Sequence, residues 1–206
     1  MKYFFVALAG IAVGSAVNAI AFAKPMDDIF IRWYTRLFYE KVKYIIVELG
    51  TSFILIMLYR VYSFGISFFS YAILFTALIL ACFIDVEEGI IPDKIVIISS
   101  AAGIVLSFFN TDVPFLSAVS AGIMTASVLW LVSFITKEGL GVGDVKLYAS
   151  AAVYLGFEGT LSAIAISTIA SGIFGAAMLV RNPANRKRNI PFAPFILIGS
   201  LAAVFI

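Results

Sequence analysis

The sequence predicts an all-α protein, a polytopic transmembrane bundle of about eight helices that forms one membrane domain over residues 1–206. Hydrophobic residues make up 63% of the chain and charged residues only 13%. A soluble domain of this size could not bury so much apolar surface in one core. The apolar residues also form runs near the roughly 20 residues that cross a bilayer. We therefore expect a protein whose apolar faces contact lipid.

The apolar runs define the expected helices, which are 4–23, 45–62, 64–84, 94–109, 115–136, 147–157, 160–180 and 191–206. The sixth helix would rise only about 16 Å, roughly half of the hydrocarbon thickness. The glycine-rich stretch before it, 137–144, is expected to be irregular and to dip into the membrane, where buried backbone of this kind is tolerated.

Basic residues predict the orientation, because Lys and Arg accumulate in cytoplasmic loops. Lys2 and Arg60 are the only basic residues on one side of the predicted bundle. This side is therefore expected to face away from the cytoplasm, and both termini lie on it, outside a bacterial cytoplasmic membrane. An alternative for 1–23 is a signal peptide with a cleavage site after Ala23. The other twelve basic residues share the opposite side: Lys24, Arg32, Arg36, Lys41, Lys43, Lys94, Lys137, Lys146, Arg181, Arg186, Lys187 and Arg188.

Composition excludes several kinds of chemistry. The chain has no histidine and a single cysteine, Cys82. An internal disulfide, a Cys/His zinc site and a Ser-His-Asp triad are therefore excluded, and no metal site is expected. A net charge of +2 gives no indication of nucleic-acid binding. Carboxylates, lysines and tyrosines remain for acid and base chemistry.

Two acids are candidates for a catalytic pair. Asp85 follows the apolar run 78–84, and Asp144 precedes the short sixth helix, so both lie at a similar depth on the cytoplasmic side. Ionisable groups at membrane depth are candidates for function. If the two meet, they share a proton, and the pair can activate water and polarise a peptide carbonyl. The alternative is that each is a helix-end residue, with Asp144 an N-cap.

Flanking residues are candidates for substrate binding. Gly141 and Gly143 would let a substrate strand approach the backbone near Asp144, although the same glycines suit a simple turn. The acidic residues Glu87, Glu88 and Asp93 would attract a basic segment of the substrate. The alternative for these three acids is an ordinary solvated cluster at a helix end.

Five motifs resemble the type IV prepilin peptidases. They are Gly14-Ser15-Ala16-Val17-Asn18, Glu48-Leu49, Asp85 with Ile91-Pro92-Asp93 downstream, Gly141-Val142-Gly143-Asp144, and Pro191-Phe192-Ala193-Pro194-Phe195. The outer motifs would also suit close helix packing, a local ion pair and a helix start. The resemblance implies an aspartic endopeptidase in the lipid bilayer that removes the basic leader of prepilins or pseudopilins at the cytoplasmic face, with Asp85 and Asp144 as the catalytic pair.

One segment departs from that resemblance. Many bacterial members carry two Cys-x-x-Cys pairs that bind zinc in the first cytoplasmic loop, whereas the loop at 24–44 has no cysteine. No cofactor is therefore expected, and S-adenosylmethionine would be required only if the chain also methylates the new N-terminus. The alternatives from other classes are a small multi-span transporter or channel, and a membrane methyltransferase without protease activity. The sequence gives no indication of oligomeric state.

Overall fold

The structure is a computed structural model that describes residues 2–21, 33–136, 140–181 and 190–206. This described part of the chain contains seven helices and no strand. In chain order the helices are α1 (Lys2–Ala21), α2 (Trp33–Tyr62), α3 (Ile66–Glu88), α4 (Asp93–Ser107), α5 (Phe115–Ile135), α6 (Val142–Arg181) and α7 (Ala193–Phe205).

Five of the helices contain segments that are long and apolar enough to cross a membrane. These segments are Lys2–Ile20, Tyr44–Tyr62, Ile66–Glu88, Phe115–Ile135 and Val142–Arg181. Many of their large apolar side chains are exposed, as expected for surfaces that contact lipid rather than water. The predicted all-α, polytopic fold is confirmed.

The region predicted to hold the sixth and seventh helices differs in its boundaries. Helix α6 begins at Val142, five residues before the predicted start, so Asp144 lies in its first turn rather than on an irregular loop. The break expected between the predicted helices 147–157 and 160–180 occurs at Gly156, where φ is 64° and ψ is −170°. Only glycine adopts that conformation readily, because it has no Cβ. The long helix therefore consists of two helical segments that meet at this residue.

Helix α2 begins earlier than predicted. Its apolar part starts at Tyr44, but the helix extends back to Trp33 through a polar segment that the sequence assigned to a loop. Leu, Arg, Glu and Lys in that segment are good helix formers. A search for apolar runs finds only the part of a helix that enters the membrane, and this explains the difference.

The described residues form two compact units, with a boundary between Leu80 and Ala81 inside α3. In the first unit α1 packs along α2. A Cβ at Gly14 would lie 2.7 Å from the Cα of Glu48, so the two backbones approach closely. Ser15 Oγ donates a hydrogen bond to Glu48 Oε1 at 2.6 Å, and Asn18 Nδ2 donates to a backbone carbonyl of α2 at 3.2 Å.

In the second unit α4, α5 and α7 all pack against α6. One polar contact joins α4 to α6, because the Tyr154 hydroxyl donates to the Ser99 carbonyl at 2.6 Å. A second contact, between the Tyr148 and Ser167 hydroxyls, joins the two segments of α6 on either side of Gly156. Helix α6 is therefore the central element of this unit. That the whole chain forms one membrane domain stays a prediction.

Candidate active site

The first predicted carboxylate, Asp85, lies in the last turn of α3. Its carbonyl accepts a hydrogen bond from the Gly89 N–H at 2.8 Å, and Gly89 ends the helix with φ 67°. The side chain of Asp85 is only 7% exposed. A buried carboxylate is costly unless it is hydrogen bonded, so its partner is central to the site.

That partner is the backbone of α7. The Ala193 N–H donates to Asp85 Oδ2 at 3.0 Å. Ala193 is the first residue of α7, no side chain of the N-cap residue Phe192 caps the helix, and Pro194 has no N–H to offer. The N-terminus of a helix leaves N–H groups unpaired and favours a negative charge. Asp85 therefore accepts a hydrogen bond from an N–H group that α7 cannot pair within the helix. The same hydrogen bond fixes the position of the Asp85 carboxylate.

The second predicted carboxylate, Asp144, is the third residue of α6 and is half-buried. It accepts a hydrogen bond from the N–H of Gly141, the residue before the helix. An acid at the third helical position that reaches back to the N-cap is one half of a capping box. The Ser133 hydroxyl fixes the chain just before it by donating to the Leu140 carbonyl at 2.6 Å.

The two carboxylates lie within range of each other's charge. Asp85 and Asp144 belong to the same compact unit, and they are close enough for their charges to interact. Each one is held by a backbone N–H at a helix N-terminus. Two neighbouring carboxyl groups of this kind can share one proton and act together on water and a carbonyl.

The predicted glycine loop is only partly as expected. Gly141 precedes α6 and Gly143 lies inside its first turn, whereas residues 137–139 are outside the described part of the chain. A Cβ at Gly143 would lie 3.3 Å from the Cβ of Ile91, which is tight. Gly143 therefore allows the segment after α3 to pack closely against the start of α6.

The three predicted acidic residues have different surroundings. Glu87 and Glu88 are exposed at the end of α3. Asp93, at the start of α4, forms an ion pair with Lys146 at 2.8 Å, and the two side chains are 61% and 46% exposed. The charge of Asp93 is therefore balanced by a neighbour within the chain.

Sequence reasoning assigned no specific role to three residues that make contacts at the site, namely Ala193, Lys146 and Ile91. Ala193 acts through its backbone N–H, and the type of a residue does not indicate whether its backbone binds a carboxylate. Lys146 is conspicuous only as a basic residue two positions after Asp144, and its partner lies far away in the sequence. No pattern in the sequence could have paired these groups, because the pairing depends on how α3, α6 and α7 pack.

Within the described ranges, no group of three or more His, Cys, Asp or Glu side chains could hold a metal ion. The polar groups described at the site are two carboxylates, which accept hydrogen bonds, and the backbone N–H groups that donate to them. These groups can bind and move protons and can hydrogen bond a peptide backbone.

The fold and the site together define a polytopic membrane protein with two carboxylates held at helix N-termini. The chain belongs to the type IV leader peptidase family, whose model matches residues 72–176. The match begins in α3 and ends in α6, so it contains both Asp85 and Asp144.

Several curated relatives support this membership. The prepilin leader peptidase/N-methyltransferase of Xanthomonas campestris pv. campestris is 30% identical over 175 residues, covering 80% of this chain and 59% of the relative. Proteins of the same name match over 79% of this chain in Pseudomonas aeruginosa (30% identical, 58% of the relative) and in Aeromonas salmonicida (25% identical, 57% of the relative). The chain thus spans about three fifths of the length of these relatives. No solved structure matches it.

The hydrogen bond between Asp85 and Ala193 can be tested by its effect on stability. Asp85→Ala leaves the buried N–H unpaired, so we expect the free energy of unfolding to fall by about 1–3 kcal/mol. Asp85→Asn keeps an oxygen acceptor, and we expect a smaller loss of about 0.5 kcal/mol. Denaturant unfolding in detergent micelles measures both values. Equal losses in the two variants would show that the hydrogen bond does not hold the start of α7.

Proposed function

We propose that this chain is a membrane aspartic endopeptidase that removes the basic leader peptide from type IV prepilins or related pseudopilins. The observation that carries the proposal is that Asp85, which is buried and bonded to the Ala193 N–H, lies within charge-interaction range of Asp144 in the first turn of α6. Membership of the type IV leader peptidase family supports the same reaction.

The proposed mechanism uses one proton shared by the pair. The ionised carboxylate takes a proton from a water molecule, and the protonated one donates a hydrogen bond to the scissile carbonyl. Water then attacks the carbonyl carbon, and the negative charge that develops on its oxygen is met by the acidic proton. The amine leaves with the proton returned by the pair, so no covalent intermediate forms.

Charge distribution supports a cytoplasmic site. Twelve of the fourteen basic residues fall on the predicted side of the bundle that carries Asp85 and Asp144. Under the positive-inside rule this side faces the cytoplasm, which places both termini on the other face of the bacterial inner membrane. A leader that remains in the cytoplasm would reach the pair from this side, while the apolar stem of the substrate stays in the bilayer.

The alternatives receive less support. Only the acids and the interrupted helix α6 would support a transporter or channel. The family and the relatives, by contrast, are named for peptidase activity. The name of the relatives also includes N-methyltransferase. The activity proposed here is cleavage alone, and S-adenosylmethionine takes no part in it.

The catalytic roles predict the effect of two substitutions. Asp85→Asn and Asp144→Asn should each abolish cleavage of a prepilin by the purified protein, because an amide can replace neither the base nor the acid. Glu158→Gln, which removes an exposed acid from another part of α6, is the matched control and should cleave normally. Near-normal cleavage by either Asn variant would remove that residue from the pair.

We further propose that Glu87 and Glu88 steer the basic leader toward Asp85. Both acids are exposed two and three residues beyond Asp85 on α3. Exposed charges act mainly on encounter and are screened over about 8 Å at physiological ionic strength.

The steering proposal predicts a change in KM rather than kcat. The double variant Glu87→Gln/Glu88→Gln should raise KM for a basic leader with little change in kcat, and the difference should shrink at high salt. For a leader with its lysines made neutral, the variant and the wild type should have the same KM. An equal rise in KM for basic and neutral leaders would contradict steering.

A further inference from the structure

Two contacts join the segment after α3 to the start of α6. Ile91 packs against Gly143, and the Asp93 carboxylate pairs with the Lys146 ammonium at 2.8 Å. The residues of α6 that make these contacts lie one before and two after Asp144. The segment 89–93 is therefore attached to α6 on both sides of this carboxylate.

The same segment is directly connected to Asp85. Gly89 leaves α3 with φ 67°, and its N–H is bonded to the Asp85 carbonyl. Pro92, which has an extended conformation, is the N-cap residue of α4, so only four residues separate α3 from α4. A connection this short transmits a displacement of Asp93 to the end of α3.

The ion pair is poorly suited to a role in overall stability. Its side chains are about half exposed, and exposed pairs contribute little to the free energy of folding because water and salt screen them. The rate of a reaction at a catalytic pair depends more strongly on geometry, since a misplacement of about 1 Å can lower a rate by about 100-fold. A contact that contributes little to folding can thus have a large effect on the reaction.

We infer that the Asp93–Lys146 ion pair is a latch that fixes the end of α3 against the start of α6 and so sets the spacing of Asp85 and Asp144. This inference rests on the proposed function. Asp93 and Lys146 are positioning residues, and neither is assigned a contact with the substrate. The latch is electrostatic and exposed, so it is sensitive to ionic strength and to the sign of each charge.

Cleavage kinetics of purified variants test the latch. Asp93→Asn and Lys146→Gln should each lower kcat by about 10-fold to 100-fold, with KM and the unfolding midpoint unchanged. Lys146→Arg keeps the charge and should retain most of kcat. The charge-reversed double variant Asp93→Lys/Lys146→Asp should recover most of the loss seen in the single variants. Lys94→Gln and Glu158→Gln are matched controls at exposed charges and should behave as the wild type.

Ionic strength provides a second readout. Raising salt should lower kcat of the wild type toward that of Lys146→Gln and leave kcat of that variant unchanged, because only the wild type has a pair to screen. The latch is overturned if the single variants keep the wild-type kcat, if charge reversal gives no recovery, or if kcat falls only in parallel with the unfolding midpoint. Absence of prepilin cleavage by the wild type overturns the proposed function and the latch with it.

Discussion

A carboxylate that is removed from water among apolar helices needs hydrogen-bond donors, and the backbone N–H groups at helix N-termini are donors that are not used within the helix. Asp85 takes such a donor from Ala193 of α7, and Asp144 takes one from Gly141. The positions of the ends of α3, α6 and α7 follow from this constraint. Helix α7 must begin where α3 ends, and α6 must begin beside both.

The local sequence meets these requirements with few residues. Gly89 ends α3 in a conformation that other residues adopt only with strain, and Pro194 removes an N–H that would compete for a partner at the start of α7. Gly143 leaves room for Ile91. Gly89, Gly143 and Pro194 are residue types that the sequence associates with turns and helix ends, and in the fold they also define the space around the two acids.

Much of this could be predicted from the sequence. Apolar runs of membrane-spanning length gave the helices, and Asp85 and Asp144 were identified because acids at membrane depth are uncommon. The start of α6 was predicted too late, because glycine and aspartate weigh against helix until their N-terminal position is known. The Asp93–Lys146 pair and the Ala193 contact could not be predicted, since both depend on the packing of helices that are distant in sequence.

The central claim is that Asp85 and Asp144 act as one unit on the tetrahedral state formed when water adds to the scissile carbonyl. The most direct measurement is the affinity of a prepilin peptide whose scissile carbonyl is replaced by a hydroxyl-bearing carbon. We expect this mimic to bind the wild type at least about 100-fold more tightly than a matched uncleavable peptide without the hydroxyl, and we expect Asp85→Asn and Asp144→Asn each to abolish the difference. Equal affinities of the two peptides for the wild type would contradict the central claim.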